Sequence, residues 1–367
     1  MSKLAWLFAV GAVATSGACA RRAEAPRPEP PAARPAEPAR AAPLRIGVIL
    51  SKTGSPVLQR YAELVLAGIE VGAEAEETPR RGVELVVRDD GGTPQGAARA
   101  LRELEQEGVR VVVGPLVEEA LAAAAAARSS EKTVLLSPTA VREPAGTPNV
   151  YALNSPDTRG ATALGEHARR YMRVGVLYSR TNYGSEQARA FREAYGASGE
   201  LHEAVFDSGA TNIAAPLRRL REAHVEAVFV PGSERELQTV LPQLEVFGLG
   251  RVQLFGTESW LSDAVRNVPA RVLDGAVVAT PLWRESDAVG WNEFVRQYEA
   301  RHRRTLDHPV PALGYDAARL AARALSDGDV AVRDYRGATG VLTLQNDSVT
   351  RRPFLVRIQA GRLVPVT

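Results

Sequence analysis

Nucleophiles, bases and metal ligands are sparse in this chain, and their spacing excludes most catalysis. His167, His202, His224, His302 and His308 are its five histidines. None forms the i, i+4 pair of an HExxH helix, and Cys19 is the single cysteine, so neither a zinc site nor a disulfide is expected. His167 falls on a charged helix, where a solvated imidazole is expected. Arg301-His-Arg-Arg304 reads as a solvated helix end. GxSxG is absent. So are GxGxxG and GxxxxGK[ST], which argues against nucleotide chemistry. The net charge of +2 gives no case for nucleic acid. Nothing in these features points to a catalytic, metal or cofactor site, although a Ser/His/Asp set assembled from distant loops stays open.

Ligand contacts must then come from loops, and the pattern of elements says which loops. From Leu44 onward, short apolar runs alternate with amphipathic stretches. Leu44 to Leu50, Val83 to Arg88, Val109 to Val113 and Thr133 to Leu136 read as buried strands. Helices are expected from about Arg60 to Ala75, from Pro94 to Gln106, and through an Ala-rich stretch to Arg128. The beat resumes after residue 157, with strands at Val174–Tyr178, Ala204–Phe206, Ala227–Val230, Val252–Phe255 and Ala276–Val278. Such alternation predicts an α/β fold of two doubly wound parallel-sheet lobes with helices on both faces. About 320 residues follow the first 43, enough for two lobes. Ligands of such sheets sit at the carboxyl ends of strands. The loops in question are Ser51–Arg60, Gly114–Glu119, Ser137–Val141, Ser179–Gly184, Pro231–Glu234 and Gly256–Trp260.

The N-terminal region carries targeting signals. Lys3 precedes an apolar run from Leu4 to Ala14, too short to span a bilayer. Ser16-Gly-Ala-Cys19 resembles the lipobox of bacterial lipoproteins, which implies a signal peptide of residues 1–19 and a lipid on Cys19 that anchors the protein to a membrane. Ser16 departs from the preferred Leu, and Ala18-Cys-Ala20 also fits ordinary signal cleavage. Residues 20–43 are rich in Pro and Ala and lack the apolar side chains that would offset ordering entropy. As extended polyproline II, some twenty residues reach roughly 60 Å, which suits a tether.

Several short pieces together resemble the type I periplasmic binding proteins of the branched-chain amino acid (Leu/Ile/Val-binding) family. They are Ile46-Gly-Val-Ile-Leu-Ser-Lys-Thr-Gly54, Val86-Val-Arg-Asp-Asp90, Val113-Gly-Pro-Leu116, Leu136-Ser-Pro138, Asn182-Tyr-Gly184, Phe229-Val-Pro-Gly232, Gly314-Tyr-Asp-Ala317 and Thr339-Gly340. The resemblance implies two lobes joined by a three-stranded hinge, of residues 44–156 plus 282–338 and 157–281 plus 339–367. Ligand would bind between them and favour the closed state. It implies a periplasmic, ABC-transporter substrate-binding protein for an amino acid or related amine, partnered by a permease.

Residue by residue, the resemblance places Tyr61 as a wall for the ligand side chain and Tyr183 in the family's Tyr-Gly loop. Asp157 and Glu258 match acids that look like partners of a ligand ammonium. Asp157 equally suits a helix N-cap before Arg159, Glu258 a cap of the helix that follows it, and the tyrosines ordinary packing. Ser233 is a further contact candidate. The carboxylate side departs from the pattern. Glu118 stands where the family has a serine, and Val141 where it has a threonine. Ser137 and Thr139 could compensate. Outer-membrane lipoproteins that activate penicillin-binding proteins share this fold, so a regulator of a peptidoglycan synthase is the alternative reading.

Overall fold

The computed structural model describes residues 41–78, 81–155 and 157–366. The expected signal peptide, Cys19 and all but the last residues of the tether lie outside these.

The first sheet is built as the sequence predicts. Strand β1 (Leu44–Leu50) leads to helix α1 (Pro56–Ala75), then β2 (Val83–Asp89), α2 (Pro94–Gln106), β3 (Val111–Val113), α3 (Glu118–Ala127), β4 (Val134–Ser137) and β5 (Val150–Ala152). All five strands are parallel, in the order β2-β1-β3-β4-β5. Strand β1 is apolar throughout because both its faces are covered. Ile46, Val48 and Leu50 join one core with Val65 and Ile69 of α1, while Ile49 joins another with Leu101 and Leu121. The helices start where capping residues dictate. Ser55 and Thr93 accept from the amides of Leu58 and Gly96, and each is followed by proline at the first helical position.

The second sheet follows: α4 (Arg159–Ala168), β6 (Arg173–Ser179), α5 (Asn182–Tyr195), β7 (Glu200–Phe206), α6 (Ala214–Glu222), β8 (Ala227–Val230), α7 (Glu234–Val246), β9 (Gln253–Gly256), α8 (Ala270–Leu273) and β10 (Val277–Thr280). Helix α9 (Trp291–His302) then packs Phe294 and Tyr298 against Val71 of α1 and Tyr315 of α10 (Val310–Asp327), and α10 returns to the first core, where Ala317 and Leu320 pack with the β1 residues. The tail comprises β11 (Val332–Gly337), β12 (Gly340–Gln345), β13 (Ser348–Arg351), β14 (Phe354–Gln359) and β15 (Arg362–Pro365).

Two features depart from the sequence expectation. The second sheet is mixed, in the order β15-β14-β10-β9-β8-β6-β7, because β14 and β15 add antiparallel strands at one edge. The division at residues 338 and 339 also needs correction. β11, β12 and β13 form a three-stranded antiparallel sheet, and Leu342, Leu344 and Val349 are buried in the same core as β1. By packing, residues 340–351 therefore belong with the first lobe. Only β14 and β15 join the second.

The chain passes between the two lobes three times, after β5, after β10 and after β13. These crossings touch. The Arg351 guanidinium donates to the Leu153 carbonyl, and the Arg352 amide ties the third crossing to β12 through the Val341 carbonyl at 2.9 Å. Gly340 has φ +130°, and a Cβ there would stand 2.5 Å from the Pro281 carbonyl oxygen, so only glycine lets β12 approach the second crossing this closely.

Candidate ligand-binding cleft

A cavity of about 400 Å³ opens beside these crossings and is lined from both lobes. Val141, Trp291 and Val310 line it from the first lobe's core side, and Gln187, Thr257 and Ala279 from the second. Its size falls within the range of small-molecule sites.

Asp157 and Glu258 both line this cavity. Asp157 stands just before α4. The N-cap of α4 is Thr158, not Asp157 as the capping reading expected. Asp157, one residue earlier, accepts the Arg159 amide on Oδ1 at 3.0 Å and the Arg351 amide on Oδ2 at 2.8 Å. Its carbonyl accepts Gln187 Nε2 at 3.1 Å. Glu258 opens a 3₁₀ turn, Glu258–Leu261, at the carboxyl end of β9, with no side-chain cap on that turn. It keeps surface toward the cleft, yet the cleft walls displace enough bulk water to hold its carboxyl above the usual range. Its backbone hydrogen bond and Arg351 oppose that rise, while the charge of Asp157 adds to it.

Arg351 also lines the cavity, with buried Asp316 as its charged neighbour, and neither is among the sequence candidates. Arg351 is 7% exposed. Burial lowers its pKa, against the charges of Asp316, Asp157 and Glu258. Asp316 lies in the Gly314-Tyr-Asp-Ala317 piece on α10. Its carboxylate accepts from the Ala338 amide at 2.7 Å, the Thr339 amide at 2.8 Å and the Thr339 hydroxyl at 2.6 Å. Complete burial raises its pKa, and those hydrogen bonds and Arg351 work the other way.

The other sequence candidates fall elsewhere. Tyr183, on the first turn of α5, stands behind the lining and donates to Thr257 Oγ1 at 3.1 Å. Burial first, then the charge of Glu258, raises its pKa. Tyr61 lines a separate groove with Val57, Arg60 and His308. Ser233 is the N-cap of α7 in a capping box with Glu236. The Ser-x-x-Glu spacing is the sequence signature of that box. Ser137 and Thr139 are buried, and their hydroxyls donate to the carbonyls of Pro115 and Leu116. His167 is half-buried, with its ring edge-on to Phe255 at 5.9 Å, rather than solvated. Among the described residues no cluster of His, Cys, Asp or Glu could hold a metal, and no helix is long and apolar enough to cross a membrane.

A sequence model of the periplasmic binding protein family matches residues 43–341. The chain belongs to that family. It is 23% identical over 253 residues to the Leu/Ile/Val-binding protein of Escherichia coli K12, covering 65% of this chain and 67% of that one. A Leu/Ile/Val-binding protein homolog from Brucella melitensis is 29% identical over 237 residues, covering 60% and 64%. In fold, the chain is similar to a putative branched-chain amino acid ABC transporter protein from Rhodospirillum rubrum. The TM-score is 0.76 at 20% identity, with 88% of this chain and 100% of that one covered.

Proposed function

We propose that this periplasmic binding protein captures a small amine-bearing ligand between its lobes and delivers it to an ABC permease. The observation that carries the reading is the pair Asp157 and Glu258 on one cavity wall, opposite first-lobe residues such as Trp291 and Val310. An ammonium there neutralises two neighbouring carboxylates. Contact with both lobes makes closure favourable, because only affinity that differs between open and closed states shifts that equilibrium. Tyr183 acts through Thr257, and Asp157 serves both the ligand and the hinge. The test is small-angle X-ray scattering on titration with 3-methylbutylamine. The radius of gyration falls on binding, and Glu258→Ala removes the change.

Export and lipid attachment at Cys19 complete the proposal. They rest on the Lys3-to-Ala14 run and the Ser16-Gly-Ala-Cys19 sequence. Mass spectrometry of the N-terminal peptide from cells should find a diacylglyceryl group on Cys19, whereas an unmodified start at Arg21 means ordinary cleavage. The commitment of Ser137 and Thr139 to backbone carbonyls is the observation that favours the second reading, an activator of a peptidoglycan synthase. A synthase retained on the protein in a cleft-independent pull-down would support it.

A further inference from the structure

We infer that the cleft selects an amine with an apolar body and no carboxylate beside the amine. This rests on the binding role proposed for Asp157 and Glu258 and adds the class of ligand. Charge is the first argument. Two carboxylates line the cavity, and Arg351 is the basic residue among its lining. Arg351 is not free for a ligand carboxylate, since its guanidinium donates to Leu153 and is buried beside Asp316 as well. Arg142 follows Val141 in sequence but is not part of the lining, and Arg284 lies over the Trp291 ring at 4.2 Å.

The second argument concerns hydroxyls. The donor protons of Ser137 and Thr139 are spent on Pro115 and Leu116, and both side chains are buried. Those same bonds fasten the loop leading to Val141 onto the entrance of α3. Val141, 44% exposed, then presents methyl groups to the cavity where a donor would be needed.

The third argument concerns that helix entrance. Val117 offers α3 no side-chain cap, and the first turn holds Glu118 and Glu119. These supply the negative charge that free helix amides favour. Residues 117–119 are not among the cavity lining, so that turn offers no amide to a ligand carboxylate there. Ala279, Leu282, Trp291 and Leu313 give the wall a hydrocarbon surface, beside uncharged polar residues such as Asn154, Ser155 and Gln187.

Titration calorimetry on the full-length chain with four probes tests the inference. They are 3-methylbutylamine, L-leucinamide, L-leucine and 4-methylpentanoate. The amine and the amide are expected to bind at least about tenfold tighter than L-leucine, which corresponds to roughly 1.4 kcal/mol, and 4-methylpentanoate not at all. Tighter binding of L-leucine overturns the inference and leaves the amine-binding role standing. Binding of 4-methylpentanoate alone, or of none of the four, overturns both. Val141→Thr, which puts a hydroxyl on the cavity wall, should raise the affinity for L-leucine more than that for 3-methylbutylamine. An equal change in both would contradict the selection proposed.

Discussion

The backbone amide of Arg351 donates to Asp157 Oδ2 at 2.8 Å across a separation of 194 residues. One carboxylate thus lines the cavity and ties the third crossing between the lobes to the first. The Arg351 side chain makes the same link in the other direction, through Leu153. Ligand charge near Asp157 is therefore felt at the hinge itself.

Arg351→Met should cost about 1–3 kcal/mol of stability, because the buried Leu153 carbonyl then loses its charged donor. Urea unfolding measures this from the midpoint at constant slope. An unchanged midpoint would show that Arg351 contributes nothing net.

Glu258→Gln should stabilise the empty protein at neutral pH. Burial, with a contribution from Asp157, raises the Glu258 carboxyl above its unfolded value of 4.5. The folded state then binds more protons in that window. The group's contribution to stability is complete below the unfolded pKa and is lost as pH rises through the folded one. Ionised Glu258 is consequently a small cost to the empty cleft at pH 7, reduced by the water that its exposed side chain still meets. The melting temperature of the variant should exceed that of the parent at pH 7, with the gap closing toward pH about 4. A variant that melts lower at pH 7 would contradict this sign.

Much of this frame is legible in the sequence. Strands β1 to β4 and β6 to β10 are recognisable because β-branched apolar runs sit between helices of clear periodicity. The tail is not. Its strands alternate charge with apolar residues, as in Val332-Arg-Asp-Tyr-Arg-Gly337, and their pairing partners lie far away in sequence. Arg351 is hidden for a similar reason. In an Arg-rich chain one more arginine looks solvated, and only the folded hinge brings Asp157, Leu153 and Asp316 to it. Tyr61 and Ser233 were expected at the ligand from resemblance alone. The groove beside His308 claims the first, and Glu236 claims the second.

Gly68→Ala should both destabilise the fold and weaken ligand binding. A Cβ at Gly68 would stand 1.7 Å from the Pro311 carbonyl oxygen, so α10 must move away from α1. Overpacking of this kind costs about 1–3 kcal/mol. Because Pro309 to Leu313 help form the cavity wall, the displacement reaches the site. Thermal unfolding and calorimetry on the same variant check the two effects, and an unaltered melting temperature would show that the helices have room.

The central claim is that Glu258 holds a ligand ammonium, and calorimetry of 3-methylbutylamine with the parent protein and with Glu258→Ala tests it most directly. Loss of a charged hydrogen bond should weaken binding by about 2 kcal/mol or more, roughly thirtyfold, while the far-ultraviolet circular dichroism stays unchanged. Equal affinity in the two proteins would contradict the account and remove Glu258 from the site.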